Sequence, residues 1–347
     1  MTLDATDLDL VTSSLLDTTA VAGTGTLRKA TSTVWLSSGL AKISAFYGAS
    51  LLCKHTEKLS RAMTAIDYCQ TLRLRSLPLL ITLRGTNQDA TGIAESIIRR
   101  QSEHALLLTG DKNSPTAMML RGSSVQVDVA DASLPERDRR FVNCKSIITL
   151  SSLAYRLVRQ SIGDSYPSLE IQERALVDTF LRTKENSVDI SSQITAVENW
   201  RAKSIIFLSD GMPSELSVTW ASILAESGII QPICADIKDY THGDHLATSL
   251  CGSAIFIVLR HQDISEICDI FIERFASLFT VVTINLESAG AALFWENLFY
   301  ACNIAGQLSH ALGYHGLRPP KHPIVWSWRG WGNISTANYG KNTHGQD

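Results

Sequence analysis

Two side chains able to move protons near neutral pH stand close together in the segment ILAESGIIQPICADIKDYTHGDH, residues 223–245. Glu226 ends a stretch patterned as a helix by Trp220, Ile223 and Leu224. A carboxylate there opposes the negative end of the helix dipole, so it has no evident role in helix stability. His242 follows sixteen residues later, in a turn that also holds Gly243, Asp244 and His245. Carboxylate and imidazole are the usual partners in general acid–base chemistry. A metal reading of His242, Asp244 and His245 matches no known ligand spacing, and either histidine alone also suits an ordinary surface turn.

Three small-residue turns offer places to hold a ligand. LSSG (36–39) and LSDG (208–211) each follow an apolar run and lead toward a helix. Ser37, Ser38 and Gly39 would present free N–H groups and hydroxyls there, which suits an anion or a hydroxylated ligand. Serine and glycine also make plain turns and N-caps. RGTNQDA (84–90) is the third turn, and Arg84, Thr86 and Asn87 could bind an anionic or polyhydroxyl ligand at the carboxyl end of a strand. The competing reading is an N-cap by Asn87 or Asp89 for the next helix.

The elements that must position these residues alternate along the chain. Short apolar runs predict strands over 34–36, 62–66, 77–83, 105–108, 125–129, 204–208, 233–237, 253–259 and 280–284. Helical patterns predict helices over 41–55, 90–100, 114–120, 143–159, 169–182, 215–226, 264–275 and 295–311. Such alternation predicts an α/β protein with mostly parallel sheets covered by helices. The polar runs GDSYPS (163–168) and KENSVD (184–189) mark a linker. The expected organisation is an N-terminal segment 1–25, a first domain 26–165, linker helices 166–200 and a second domain 201–347.

An internal repeat supports two copies of one domain. An offset of 172 brings Leu36, Ser37 and Gly39 onto Leu208, Ser209 and Gly211. It also brings Ala49, Ser50 and Leu52 onto Ala221, Ser222 and Leu224, and Asp67–Tyr68 onto Asp239–Tyr240, with no gap. The matched residues are common ones, and any two βαβ units share some likeness.

Composition bounds the function. The chain has 347 residues, enough for two domains, with 45% hydrophobic and 19% charged residues. Its net charge of −3 gives no broad basic field, so neither nucleic acid nor an anionic membrane is an expected partner. No apolar run approaches the roughly 20 residues of a membrane span. The N-terminus MTLDATDLDL is acidic where an export signal is basic. Seven cysteines are widely spaced without a C-x-x-C pair, which argues against a disulfide scaffold or zinc ribbon. Reduced thiols and a cytoplasmic location are expected.

At these residues the chain resembles the sugar-isomerase (SIS) family, in particular its members with two such domains in tandem. These include the isomerase half of glucosamine-6-phosphate synthase, aldose–ketose isomerases and fructosamine-6-phosphate deglycases. The resemblance spans roughly residues 30–325 and is strongest over FLSDGMPSELSVTWASILAE (207–226) followed by DYTHGD (239–244). In the family a helix ends on a catalytic Glu and a His-Gly pair follows sixteen residues later, as Glu226 and His242–Gly243 do here. NCKSI (143–147) resembles the segment opening the last helix of the first domain, which adds Asn143 and Lys145 to the expected substrate-binding residues.

The resemblance implies two tandem SIS domains, each a three-layer sandwich. It implies proton transfer between C1 and C2 of a phosphorylated sugar or amino sugar, as isomerase or deglycase. Glu226 would be the base. His242 would help open the ring, often from a neighbouring subunit, so a homodimer or higher oligomer is expected. Neither metal nor cofactor is needed. The first-copy equivalents, Lys54 and Gln70, lack this chemistry. The sequence departs from the family in places. Its phosphate loop S-x-S-G-x-T is RGTNQD here, with Asp89 at the threonine. Ile223 replaces a lysine, Lys321 only approaches the tail lysine, and PPKHPIVWSWRGWG is unlike the family tail. Trp326, Trp328 and Trp331 are expected to pack against a partner subunit. The alternative reading is a catalytically degenerate SIS protein that binds a sugar derivative.

Overall fold

The structure is a computed structural model and describes residues 2–71, 75–133, 142–163, 166–211, 214–242 and 253–314. The chain divides into two compact units. One holds residues 9–133 and 145–167 of the described chain, and the other holds 2–8, 142–144 and 168–314.

In the N-terminal unit five strands form one sheet: β1 (Ser32–Ser37), β2 (Leu59–Thr64), β3 (Leu77–Thr82), β4 (His104–Thr109) and β5 (Gln126–Asp131). All pairings are parallel and the order is β2-β1-β3-β4-β5. The inner strands are runs such as LPLLIT and HALLLT, the unbroken apolar pattern of strands buried on both faces. Val34, Leu36, Leu80 and Leu107 pack with Ile93 and Ile97 of α5 (Gln88–Arg99) and Leu120 of α6 (Pro115–Arg121). Trp35, between Val34 and Leu36, points to the opposite face. There it meets α3 (Ala41–His55) at Gly48, where a Cβ would fall 2.3 Å from the indole. Ser44 on α3 hydrogen-bonds Ser151 on α7 (Cys144–Ile162) at 2.9 Å.

The C-terminal unit repeats the plan with four parallel strands: β6 (Ser204–Ser209), β7 (Ile233–Asp236), β8 (Ala254–Arg260) and β9 (Thr280–Asn285), in the order β7-β6-β8-β9. Ile206, Leu208, Phe256 and Val258 pack with Cys268 and Phe271 of α11 (Ser265–Phe275). On the other face Phe207 stacks on Trp220 of α9 (Glu215–Glu226), ring centroids 4.7 Å apart. The Trp220 indole N–H donates to Asn297 Oδ1 at 2.8 Å, which seats α9 on α12 (Ala291–Ala311). Helix α12 is apolar nearly all round and buried nearly all round. Its one buried acid, Glu296, is met by Arg182 Nη2 at 2.6 Å and by the Ser288 N–H at 2.7 Å.

Most expected elements are present, with four differences. The strand expected over 62–66 ends at Thr64. The Thr64 hydroxyl accepts the Asp67 N–H at 3.2 Å and so caps a short helix, α4 (Ala65–Gln70). The stretch KENSVD is not a turn but lies inside one helix, α8 (Glu173–Thr195). Within it Ser187 donates to the Thr183 carbonyl four residues back, as Ser191 and Thr195 do further along the same helix. Before β1 the chain forms α1 (Ala5–Leu16), with Val11 and Leu15 buried, and α2 (Thr24–Lys29). The structure also gives α10 (Ile237–Tyr240) directly after β7, where Asp236 Oδ1 accepts the Lys238 and Asp239 N–H groups.

The first elements of the two units coincide at the offset of 172. Strand β1 falls on β6 over its whole length, and α4 and α10 begin at matching positions. The six described cysteines are free, and no described helix is long and apolar enough to cross a membrane.

Candidate functional site

In an open parallel sheet the ligand crevice lies at the carboxyl ends of the strands, where the strand order reverses. In the N-terminal unit that point falls between β1 and β3, so the turns after Ser37 and Thr82 face one another. Ser37 ends β1 buried, Ser38 is half-buried, and Gly39 is exposed with φ 58°. Across the crevice Asn87 donates from Nδ2 to Ser38 Oγ at 3.1 Å. Its Oδ1 accepts the Asp89 N–H at 2.9 Å, so the expected N-cap of α5 is in place and the same side chain also spans the crevice.

The turn that carries Asn87 is pinned from below. Gly85 has φ 56°, and a Cβ on it would fall 2.5 Å from Ser114 Oγ. Its N–H donates to Thr82 Oγ1 at 3.2 Å, and its carbonyl accepts the Thr116 hydroxyl at 2.7 Å. Only glycine fits this combination of left-handed backbone and close packing. Arg84 and Thr86 stand exposed on the same turn.

A pocket of about 210 Å³ opens beside this crevice. Ser37, Ser38 and Gly39 line it together with Lys42, Thr64 and Asp89. Arg84, Thr86 and Asn87 are not in its lining. Burial pushes the Asp89 carboxyl above the usual aspartate range. Lys42 is a residue that the sequence reading missed. It sits in the first turn of α3, where the positive dipole end disfavours a cation. That misplacement was a readable signal, since an unfavourable lysine at a helix start suggests a negative partner.

Asn143 and Lys145 lie half-buried at the start of α7, flanking Cys144. Asn143 belongs to the C-terminal unit and Lys145 to the N-terminal one, at one of the points where the chain passes between the units.

Glu226 and His242 are both exposed, on two elements of the C-terminal unit. Glu226 is the last residue of α9. Strands β6 and β7 are parallel with Ser209 beside Asp236, so α9 must run back to the amino edge of the sheet between them. Its twelve residues cover about 18 Å at 1.5 Å per residue. His242 follows β7 and α10 on the carboxyl side, where its N–H donates to the Asp239 carbonyl at 2.8 Å. The topology of one chain therefore puts the two groups at opposite edges of the sheet. Gly243, Asp244, His245, Lys321, Trp326, Trp328 and Trp331 lie outside the described residues.

The C-terminal unit has its own reversal point, between β6 and β8. There Asp210 Oδ1 lies 3.4 Å from Nε2 of His261, whose side chain is 2% exposed. Asp210 belongs to the LSDG turn, but no pattern in the sequence ties it to His261, fifty-one residues on. Asp236 supports the same turn by accepting the Gly211 N–H at 2.6 Å. Burial raises the Asp236 pKa, but the N–H groups of Asp239, Gly211 and Lys238 outweigh it and leave the carboxyl below its usual range. Among the described residues no three His, Cys, Asp or Glu side chains gather as a metal site.

Two parallel-sheet units, each with a strand-order reversal beside small-residue turns, give the chain the fold of the sugar-isomerase (SIS) proteins. Solved structures of that kind match it over most of its length. The C-terminal domain of glucosamine-fructose-6-phosphate aminotransferase from Francisella tularensis is 12% identical, with a TM-score of 0.61 over 87% of this chain and 94% of that one. Glucosamine-6-phosphate deaminase from Thermotoga maritima is 14% identical, with a TM-score of 0.63 over 91% and 98%. Tagatose-6-phosphate ketose/aldose isomerase from Escherichia coli is 17% identical, with a TM-score of 0.61 over 91% and 90%. No protein-family model matches the chain. No curated protein matches it by sequence.

Proposed function

We propose that this protein acts on a phosphorylated sugar or amino sugar, moving a proton between C1 and C2 as an aldose–ketose isomerase or deglycase. The observation that carries the reading is the pocket beside the β1/β3 crevice, at the carboxyl ends of β1 and β2, where Ser37, Ser38 and Lys42 come together. Hydroxyls, free N–H groups and one ammonium at a strand end suit a phosphate monoester. Arg84 and Thr86 on the neighbouring turn would meet the remainder of the ligand, with Asn143 and Lys145 as further substrate contacts. Neither metal nor cofactor enters this chemistry.

Glu226 is the proposed base. It would take the proton from one sugar carbon and return it to the next through an enediol or enamine. His242 is the proposed ring-opening group. Because Glu226 and His242 of one chain stand at opposite sheet edges, the reading requires His242 from a second copy. A homodimer or larger oligomer is therefore part of the proposal. So is the division into two copies of one three-layer SIS domain, over 26–165 and 201–347, joined by the linker 166–200.

One observation favours a second reading. Asp89 lines the same pocket, and a carboxylate near a phosphate repels it. A protein that binds a sugar derivative without turning it over, as a sensor or partner subunit, would tolerate this better than an enzyme. The deciding experiment incubates the protein in D2O with hexose 6-phosphates and fructosamine 6-phosphates and follows deuterium at the sugar carbons by NMR. The enzyme reading expects exchange in the wild type and a loss of about 10²–10⁴-fold in Glu226→Gln. Binding without exchange would establish the second reading, and unimpaired exchange in Glu226→Gln would remove Glu226 as base.

A further inference from the structure

A second pocket, of about 590 Å³, opens at the amino edge of the β1–β5 sheet, the end opposite Ser37 and Asn87. Ser32, Leu77, His104 and Gln126 line it as the first residues of β1, β3, β4 and β5. Pro78 helps to open it. Proline has no N–H for a strand ladder. The β3–β4 pairing accordingly begins only at Leu79 and Leu106, and the first two residues of each strand stay unpaired with one another. The volume lies within the range of small-molecule sites, roughly 300–1,000 Å³.

The charge around this pocket is one-sided. Among the described residues Lys29, Arg75 and Arg100 line it against one carboxylate, Glu103, with the His104 imidazole beside them. Glu103 is 90% exposed and lies 3.6 Å from His104. Lys29 ends α2 and so answers a helix dipole, but Arg75 and His104 sit at strand starts and answer none. Arg100 follows α5, yet its guanidinium leaves that helix. It lies over the Tyr68 ring, 4.3 Å from the centroid, and donates from Nη2 to the Tyr68 carbonyl. This fixes the guanidinium plane, while Nη1 is buried with no hydrogen-bond partner among the described residues. The next residue, Gln101, holds a left-handed φ of 52° where helices commonly end on glycine. The strained backbone sets a polar side chain at the pocket wall.

We propose that this pocket is a second ligand site, taking a small molecule that carries a phosphate or diphosphate group. The inference is independent of the reaction proposed above and of the pocket at the carboxyl edge. The Arg100 guanidinium held in place by Tyr68, Lys29 and Arg75 at the rim and the hydroxyls of Ser32, Ser76 and Ser102 together suit a polyvalent anion.

The test titrates pyrophosphate into the full-length protein by calorimetry, with hydrogen exchange to locate the contact. Arg75→Gln/His104→Gln alters only the rim of this pocket, and Lys42→Ala alters only the other one. Expected are a Kd raised at least tenfold in the double variant and changed less than twofold in Lys42→Ala, with exchange protection over 100–104. Loss of binding in Lys42→Ala alone would overturn the inference and place the anion at the carboxyl edge. Equal affinity in all three proteins would mean diffuse surface attraction and would also overturn it, as would no binding by the wild type. A wild-type protein that fails the deuterium experiment but passes this one retains the second site.

Discussion

Asn87 holds two turns together with one amide group, giving its Nδ2 hydrogen to Ser38 at 3.1 Å and taking the Asp89 N–H on Oδ1 at 2.9 Å. The two functions are separable. Asn87→Asp keeps the acceptor and the cap but loses the donor to Ser38. It should leave stability within about 0.5 kcal/mol and weaken sugar-phosphate binding about tenfold. Asn87→Ala should lose about 1 kcal/mol of stability as well. Urea unfolding beside calorimetry measures both, and equal binding by Asn87→Asp and wild type would deny the bridge a role in binding.

Asp89 sets the charge of the carboxyl-edge pocket. Burial already holds its carboxyl above the ordinary range, so an incoming phosphate would have to repel it further or protonate it. Unit charges 4 Å apart repel by about 1–4 kcal/mol between the dielectric of water and that of a protein surface. Asp89→Asn should therefore bind hexose 6-phosphate at least fivefold more tightly at pH 7, with the advantage shrinking as the pH falls and the wild-type carboxyl takes up a proton. An Asn variant no tighter than wild type would mean that no phosphate sits beside residue 89.

Asp236 makes a pH-dependent contribution to stability. Desolvation works against its ionisation, but three backbone N–H groups lower its pKa below the unfolded value. A carboxyl depressed in the folded state stabilises the fold above its unfolded pKa, and that contribution disappears as pH falls through the folded one. The group is largely solvent-screened, so the amount is about 1 kcal/mol or less. Wild type should lose more stability than Asp236→Asn between pH 5 and pH 2, as followed by thermal unfolding. Parallel pH profiles would contradict this.

Arg182 neutralises a buried carboxylate, Glu296, from a partly exposed position where it also meets Glu287 at 3.0 Å. Glu296 is fully buried, and its oxygens are taken by Arg182 at 2.6 Å and the Ser288 N–H at 2.7 Å. Arg182→Met leaves a carboxylate without its cation and should cost about 3–5 kcal/mol. Arg182→Met/Glu296→Leu should recover most of that loss, because the desolvated carboxylate is removed as well. A double variant as unstable as the single one would show that the pair is needed for more than mutual neutralisation.

The sheets were legible because β3, β4, β6 and β8 each carry an apolar run of at least four residues and β1 carries Val34–Leu36. Helices α3 and α9 were read to the residue for a related reason, with apolar side chains recurring at helical spacing. KENSVD was misread because its polar groups look turn-forming, while the bonds that absorb two of them, Ser187 to the Thr183 carbonyl and Asn186 to Tyr300, exist only once the helix has formed and packed. The turns that follow strands were legible, and the structure brings two of them, with Ser38 and Asn87, to one crevice. Lys42 was passed over because its signal, a cation at the positive end of a helix, lies outside the turns that follow the strands. His261 could not have been paired with Asp210, since that meeting depends on the neighbouring of β6 and β8. The separation of Glu226 from His242 was hidden in the same way, because sixteen residues along the chain do not reveal a helix that runs back across the sheet.

At the offset that relates the two units, Trp35 falls on Phe207 and Gly48 falls on Trp220. In the first unit the strand supplies the indole and the helix supplies bare backbone. In the second the helix supplies the indole and the strand a smaller ring, stacked at 4.7 Å. Bulk has changed sides while the joint stays filled. The two helices are therefore not interchangeable parts. A chimera that sets α9 onto β1 would force two indoles into the space of one, and one that sets α3 onto β6 would leave a hollow the size of a tryptophan ring. If the halves descend from a single ancestor, each has since closed its structure to the other's spare parts.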